Sequence, residues 1–212
     1  MKIVFLFYEG MTALDAIGPH EVLCRLPKVT VLRVAQKAGP IHTSLGLILS
    51  ADHSLSDVEE ADILLVPGAG NATSLSHHPD ILEWLRHIHA KTMWTTSVCT
   101  GSLILGAAGI LSGLKATSHW AVMDRLKIWN AHPTHARIVE DGKVMTAAGV
   151  SAGIDMALML TSKVAGEKVA QAIQLGIEYD PEPPFDVGSP EKADPAILQA
   201  VRARMMERFE KI

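Results

Sequence analysis

Residues 95–102 of the chain, Thr-Thr-Ser-Val-Cys-Thr-Gly-Ser, contain its best candidate for a reactive side chain, the thiol of Cys99. An apolar run ends at Val98, and a run of small residues begins directly after Cys99. Ser97 and Gly101 stand on either side of the cysteine, and small residues in these positions are typical of a sharp strand-to-helix turn, or nucleophile elbow. We therefore predict that Cys99 is a nucleophile presented at the carboxyl end of a strand.

The helix after such a turn begins with unpaired N–H groups and the positive end of its dipole. Both favour the thiolate over the thiol. We also expect the N–H of Thr100 to face any negative charge that develops on a bound substrate. The other cysteine, Cys24, lies on an apolar helical pattern beside Leu23, and we interpret it as a core residue.

A cysteine nucleophile needs a group that moves protons, and Asp15 is the sharpest candidate. It comes after the first apolar run, in a stretch that predicts a loop at the same edge of a parallel sheet as Cys99. A carboxylate beside a thiolate costs Coulomb energy unless the two share a proton, so the pair would titrate as a unit with Asp15 as general acid. The alternative is that Asp15 only caps a helix.

Ten histidines offer other proton partners. His119 follows a short predicted strand and could reach the sheet edge beside Trp120, where both would contact the substrate. The alternative is that His119 is a hydrogen-bonded structural residue. His132 and His135 lie in a loop with no cysteine or carboxylate at ligand spacing, so we predict no metal site.

A glycine-rich turn, Val-Pro-Gly-Ala-Gly-Asn at residues 66–71, follows another apolar run. Thr73 stands where a dinucleotide-binding fingerprint would have its third glycine, so the turn does not predict a nucleotide site. Small side chains instead allow backbone amides to approach a ligand closely. Ala69 and Gly70 are therefore candidates for substrate binding.

The elements that would position these residues alternate between strands and helices. Runs that are apolar on both faces predict parallel strands over residues 2–8, 29–36, 62–66 and 92–98. Helical patterns cover residues 80–91, 102–109 and 151–179, the last as two helices that meet near Gly166. Hairpins are predicted over residues 137–146 and, with an edge extension as the alternative, over 41–55. Four prolines over residues 180–190 oppose regular structure there, and Pro195 predicts the start of a final helix. This alternation is typical of a doubly wound α/β sandwich, and we expect one domain over residues 1–212.

Composition limits the partners of the chain. Its 212 residues include 19 basic and 23 acidic side chains, for a net charge of −4, and no stretch has the basic excess that nucleic acid or an anionic membrane demands. No apolar run reaches the ~18 residues of a membrane span. Two cysteines far apart and an N-terminus without a signal-peptide pattern lead us to expect a reducing cytoplasm.

Together these motifs resemble the DJ-1/PfpI superfamily and, within it, the isocyanide hydratases. The likeness rests on Leu-Asp-Ala-Ile-Gly-Pro-His at residues 14–20 and Ser-Val-Cys-Thr-Gly-Ser at residues 97–102. Further matches lie at residues 116–120, 149–155 and 178–190, so the resemblance covers nearly the whole chain. It implies a flavodoxin-like three-layer α/β sandwich with a mostly parallel sheet and a cysteine nucleophile elbow, in a homodimer.

The chain departs from other branches of the superfamily at identifiable positions. PfpI-type members place a histidine where this chain has Thr100, and the DJ-1 branch uses a glutamate where the acid here is Asp15. Residues 145–149 lack the His-x-Glu of glutamine amidotransferases. Ala147 and Ala148 stand where hydratases are richer in glycine.

The resemblance implies a hydro-lyase that needs no cofactor and hydrates a small neutral isocyanide to an N-substituted formamide. Cys99 would attack the isocyanide carbon to give a thioimidate, and Asp15 would protonate that carbon and then help to activate water. Thr100 and the amides near Gly70 would orient the intermediate. Two alternatives remain: a DJ-1-like glyoxalase or oxidative-stress protein acting through Cys99, and a non-catalytic regulatory domain of the amidotransferase type.

Overall fold

The fold is described from a computed structural model that covers residues 1–70 and 72–210. Asn71, the last residue of the predicted glycine-rich turn, lies outside the described residues. The strands, in chain order, are β1 (Lys2–Leu6), β2 (Thr30–Ala35), β3 (Gly39–His42), β4 (Ile48–Ala51), β5 (His53–Ser54), β6 (Ile63–Val66), β7 (Trp94–Val98), β8 (Lys115–Ala116), β9 (His132–Pro133), β10 (Ile138–Asp141) and β11 (Val144–Ala147). The α-helices are α1 (Ala13–Leu23), α2 (Pro79–Lys91), α3 (Gly101–Ala107), α4 (Ala152–Ala165), α5 (Glu167–Gly176) and α6 (Pro195–Glu210).

Seven of these strands form one sheet in the order β10-β11-β7-β6-β1-β2-β5. All neighbours in it run parallel except the β10–β11 hairpin. The helices pack in two groups, because α1 contacts α4 and α2 contacts α3. Right-handed crossover connections, the rule for parallel strands, put the two groups on opposite faces of the sheet. The prediction of a flavodoxin-like sandwich with a mostly parallel sheet is confirmed.

The sheet is buried because its central strands carry apolar side chains on both faces. Every residue of β6 is buried, and so are four of the five residues of β1. Parallel strands covered by helices on both sides require such sequences. The strands and helices predicted from the sequence are present in the structure, and their ends differ from the predicted ends by a few residues at most.

Residues 41–55 realise both of the alternatives predicted for them. β3 pairs with β4 as an antiparallel hairpin, and β5 then joins the edge of the main sheet beside β2. The strand predicted before His119 is shorter than expected. It is β8, which pairs with β9 in a separate two-stranded sheet and not with the main sheet.

Among the described residues, none of the helices combines the length and the hydropathy that a membrane crossing requires. Across that same part of the chain, no three His, Cys, Asp or Glu side chains gather as a metal ion would need.

Candidate active site

The predicted site residues gather where the strand order reverses. In the sheet β1 lies between β2 and β6, so the strand order along the chain changes direction at β1. Ligands of open α/β sheets bind at such a switch point, beyond the carboxyl ends of the strands. Asp15 follows β1, the loop with Ala69 follows β6, and Cys99 follows β7.

Cys99 lies on a sharp turn between β7 and α3. Its φ angle is +59°, a left-handed conformation that is rare for a residue with a side chain. Its N–H donates to the carbonyl oxygens of Ala147 and Ala148, both at 3.0 Å. Gly101 permits the turn, because a Cβ there would lie 2.1 Å from the carbonyl oxygen of Val66. Cys99 as a whole is 6% exposed.

Asp15 lies in the first turn of α1, not in the loop that we predicted, and it is fully buried. The capping interpretation is wrong, because Thr12 is the N-cap residue and Asp15 Oδ2 accepts instead from the N–H of Gly68 at 2.9 Å. Oδ1 has no regular hydrogen-bond donor among the described residues, and the Cys99 thiol faces the same carboxyl. Burial raises the pKa of Asp15 to about 7, against the opposing effects of the Gly68 N–H and the Cys99 thiol.

Gly68 is the close-approach position of the glycine-rich turn. A Cβ at this residue would lie 2.5 Å from the nitrogen and 2.6 Å from Oγ1 of Thr100, and 2.9 Å from Asp15 Oδ2. No larger residue fits without moving the backbone of the elbow. This turn therefore serves to bring the Asp15 carboxyl and the elbow together.

The environment of the Cys99 thiol opposes our expectation that the turn would favour the thiolate. Burial raises the pKa of the thiol, and the charge of Asp15 raises it further. The N–H groups of Thr100 and Val150 and the Thr100 hydroxyl lower it, but by less. The two acids titrate as a coupled pair, in which the Asp15 carboxyl loses its proton at about pH 7 while the Cys99 thiol keeps its own. Above that pH the resting site is therefore a thiol beside a carboxylate.

Thr100 ties the elbow to the loop after β6. Its Oγ1 donates to the carbonyl oxygen of Ala69 and accepts from the N–H of the same residue, each at 2.7 Å. Both residues are buried. Gly70, the next candidate, is half-buried at the end of the described part of this loop.

Sequence reasoning missed two residues beside the pair. Tyr8 Oη donates to the carbonyl oxygen of Pro67 at 2.8 Å, and burial together with the charges of Asp15 and Cys99 raises the pKa of this phenol well above its usual value. Its signal was a polar aromatic residue at the carboxyl end of the first predicted strand. Val150, at φ +29°, directs its N–H to the thiol, and nothing in a valine side chain could have predicted this backbone role.

His119 and Trp120 line a cleft next to this pair, which we call the Trp120 cleft. It has a volume of about 560 Å³, and its walls include Leu14, Trp120, Met123, Gly149, Ser189 and Glu191. His119 Nδ1 accepts from the Ala121 N–H at 3.2 Å, and burial lowers the pKa of this imidazole to about 4, so it is neutral. Cys99 and Asp15 do not line the cleft, although Ser118, Ala148 and Val150 belong both to its wall and to the contacts of Cys99.

Cys24 is only half-buried at the end of α1, so its interpretation as a core residue is wrong. Its Sγ lies 3.8 Å from the carbonyl oxygen of Glu21. The apolar side of α1 turns toward the sheet at Val22 and Leu23, and Cys24 follows at the helix end, where the chain leaves the core.

Comparison with known proteins gives a consistent result. Residues 1–163 match the model of the DJ-1/PfpI family. The chain is 41% identical over 204 residues to the isonitrile hydratase of Pseudomonas putida, a match that spans 96% of this chain and 90% of that protein.

Solved structures agree in fold. A THiJ/PfpI family protein from Pseudomonas syringae superposes with a TM-score of 0.96 at 36% identity, over 99% of this chain and 88% of that one. DJ-1beta from Drosophila melanogaster superposes with a TM-score of 0.75 at 20% identity, over 84% of this chain and 97% of that one, which supports the shared fold alone. The chain belongs to the DJ-1/PfpI family.

Proposed function

We propose that the protein is an isocyanide hydratase, which converts R–N≡C and water to the formamide R–NH–CHO. The observation that carries the proposal is the buried pair of Cys99 and Asp15, in a chain that is 41% identical to an isonitrile hydratase over almost its whole length. The terminal carbon of an isocyanide accepts both a nucleophile and a proton. A thiol beside a carboxyl supplies both.

In the first step the Cys99 sulfur bonds to the isocyanide carbon while the thiol proton passes to the Asp15 carboxylate. Asp15 then delivers that proton to the same carbon, which gives the thioimidate Cys99-S–CH=N–R. This sequence requires one proton shared between the two groups, as expected of a pair whose anions disfavour each other. The transfer takes place away from water, because both groups are buried.

In the second step water attacks the thioimidate carbon. Asp15 accepts a proton from this water and passes it to the nitrogen. The hydroxyl proton of the resulting tetrahedral intermediate then passes through Asp15 to the sulfur as the C–S bond breaks, which releases R–NH–CHO and the Cys99 thiol. Asp15 thus acts as a base where it acted before as an acid. The net reaction consumes one isocyanide and one water and requires no oxidant or reductant.

The surrounding residues orient the reacting atoms. The N–H groups of Thr100 and Val150 already act on the sulfur, and they would stabilise negative charge on it as the thiol proton leaves. Ala69 and Gly70 would hold the substrate from the loop after β6. His119 is neutral and hydrogen-bonded, so we assign it a binding role beside Trp120 and no proton transfer.

Incubation with cyclohexyl isocyanide, followed by chromatographic detection of N-cyclohexylformamide, tests the proposal. We expect formamide from the wild-type protein and a transient Cys99 adduct with the mass of one added isocyanide by mass spectrometry. Absence of formamide at any substrate concentration would refute the assignment.

The glyoxalase or stress-sensor alternative is less well supported by the geometry. Cysteines that sense oxidants react as thiolates, whereas burial raises the pKa of Cys99. Turnover of methylglyoxal to lactate, with no formamide from isocyanides, would favour that alternative. Absence of both activities in the wild-type protein would favour a regulatory domain.

We further propose that the enzyme works as a homodimer in a reducing cytoplasm. Leu14 on α1 and Met159 on α4 expose apolar surface on two helices that pack together, which a second copy could cover. Both cysteines are free thiols, in agreement with a reducing compartment. Light scattering after gel filtration measures the oligomeric state, and a monomer would contradict the first part.

A further inference from the structure

Two clefts flank the Cys99–Asp15 pair. The first is the Trp120 cleft. The second, which we call the Tyr8 cleft, has a volume of about 420 Å³, and its walls include Tyr8, Ala38, Ile41 and His78. An isocyanide attacked by Cys99 must direct its R group into one of the two clefts. The cleft that it enters determines which R groups the enzyme accepts.

The Trp120 cleft has more connections to the nucleophile. Ser118 Oγ donates to the carbonyl oxygen of Cys99 at 3.1 Å, and Ala148 accepts from the Cys99 N–H at 3.0 Å. Val150 directs its N–H to the thiol, and all three residues also line this cleft. The Tyr8 cleft is connected to the pair through Tyr8, whose pKa is raised by burial and by the charges of Asp15 and Cys99. The R group would therefore leave Cys99 past residues 148–150.

The lining of the Trp120 cleft fits a large, neutral R group. Its volume lies within the range of sites that take drug-sized ligands, and the isocyano group would fill only a small part of it. Leu14, Trp120 and Met123 provide apolar surface. At its mouth the Arg137 charge is paired with Asp155, and the Glu191 backbone N–H and the Ser189 hydroxyl lower the pKa of the Glu191 carboxyl.

Part of this cleft comes from outside the region that matches the family model, which ends at residue 163. Gly188, Ser189, Pro190 and Glu191 form one wall of the cleft. The same C-terminal region continues into α6, where the Arg202 guanidinium lies 5.6 Å from the centre of the Trp120 ring. Cation–π contact at this distance holds the ring in place in another wall of the cleft. The region after residue 163 thus supplies one wall and positions another.

We propose that the isocyanide R group binds in the Trp120 cleft, and that residues 188–191 with Arg202 make the enzyme selective for bulky, uncharged R groups, aryl groups above all. This inference rests on the proposed hydratase activity and deepens it. Ser189 and Trp120 contact the R group, and Arg202 is a positioning residue that acts through the Trp120 ring.

The experiment compares two substitutions that fill one cleft each, Ser189→Trp for the Trp120 cleft and Ala38→Trp as its matched control in the Tyr8 cleft. kcat/KM is measured with 2-naphthyl isocyanide and with ethyl isocyanide. We expect Ser189→Trp to lower the ratio of kcat/KM for 2-naphthyl isocyanide to kcat/KM for ethyl isocyanide about tenfold or more, because an indole then occupies the R-group space. Ala38→Trp should leave the ratio within about twofold of wild type. A lower ratio in Ala38→Trp, or an unchanged ratio in Ser189→Trp, overturns the proposal.

A binding measurement separates this inference from the proposed function. If the wild-type protein hydrates neither isocyanide, the hydratase assignment fails, and calorimetric titration with N-(2-naphthyl)formamide still tests the cleft. We expect binding to wild type and to Ala38→Trp but not to Ser189→Trp. Equal affinities in all three proteins overturn the cleft assignment.

Arg202→Ala tests the positioning role, with Arg204→Ala on the same helix as its matched control. We expect KM for 2-naphthyl isocyanide to rise about threefold in Arg202→Ala with little change in kcat, as an exposed cation–π contact allows. Arg204→Ala should match wild type. An unchanged KM in Arg202→Ala would remove α6 from the proposal.

Discussion

The two ends of β7 differ in how fully the buried polar groups beside them are hydrogen-bonded. At the amino end, His89 Nδ1 and Thr92 Oγ1 both bond to Thr95 Oγ1, at 2.8 and 2.9 Å, and Lys143 Nζ donates to the carbonyl oxygen of Thr92 at 3.1 Å. At the carboxyl end, Asp15 Oδ1 is buried without a regular donor among the described residues, and Cys99 has a left-handed backbone.

This difference indicates that one end of the strand contributes to stability and the other to chemistry. Fully satisfied polar networks stabilise a fold, whereas an unsatisfied buried acid or a strained backbone costs free energy and persists where function requires it. The amino end therefore resembles a structural support and the carboxyl end a reactive site. Substitutions at the two ends should change different measurements.

The largest expected effect is that of Cys99→Ala. Without the sulfur no thioimidate can form, so we expect formamide production to fall by about 10⁴-fold or more. Because the substitution removes a single side-chain sulfur and requires no change of backbone, the melting temperature should change little. Formamide yield and thermal unfolding measure both.

Cys24→Ala is the matched control for that substitution. Cys24 is half-buried at the end of α1, far from the carboxyl ends of the strands, so its replacement should leave turnover within about twofold of wild type. A comparable loss of activity in both variants would contradict the assignment of Cys99 as the nucleophile.

Asp15→Asn should have the next largest effect. The amide cannot accept the thiol proton, and loss of a positioned acid and base typically costs about 10²- to 10⁴-fold in turnover. In wild type the pair carries two protons below pH 7 and one above it, because the pKa of Asp15 is raised to about 7. kcat/KM should therefore rise with pH to a plateau above 7. An Asp15→Asn variant that keeps this limb would show that another group titrates.

The sequence predicted the elbow and its acid because both depend on short-range patterns. Small residues around Cys99 indicate a tight turn, and an acid after the first strand of a parallel sheet must lie at the same edge. The depth of the site could not be predicted this way. The direction of the Cys99 pKa shift depends on burial and on the charge of Asp15, which lies on α1, far from Cys99 in the sequence.

The backbone contribution of Val150 and the cleft wall from residues 188–191 escaped prediction for a similar reason. A backbone N–H has no signature in residue type, and an irregular proline-rich segment has no periodicity that indicates where it packs. The fold was more predictable than the site, because continuous apolar runs in the sequence indicate buried strands.

The raised pKa of Asp15 also predicts how stability depends on pH. The folded protein holds the Asp15 proton up to pH about 7, whereas the unfolded chain loses it near 3.8, so this contribution is full below 3.8 and is lost as the pH rises through 7. His119 acts in the opposite sense between pH 4 and 6.5, since burial lowers its pKa to about 4.

The difference between wild type and Asp15→Asn therefore isolates the carboxyl. From pH 5 to pH 8, we expect the free energy of unfolding of wild type to fall by about 2.5 kcal/mol relative to Asp15→Asn. Urea unfolding at the two pH values measures this shift. A constant difference would mean that the folded-state pKa of Asp15 is ordinary.

The smallest effects compare two hydroxyls on the same face of β7. Thr95 Oγ1 has partners in His89 and Thr92, and Thr95→Val would leave both with an unmet bond, at a cost of about 1–3 kcal/mol in unfolding free energy. Ser97 Oγ is buried with no partner among the described residues, so Ser97→Ala should cost nothing or stabilise the protein slightly. Thr95→Val should leave kcat/KM within about twofold of wild type, because Thr95 lies at the end of the strand away from Cys99. Equal destabilisation by both substitutions would show that the two ends of β7 do not differ in how their polar groups are satisfied.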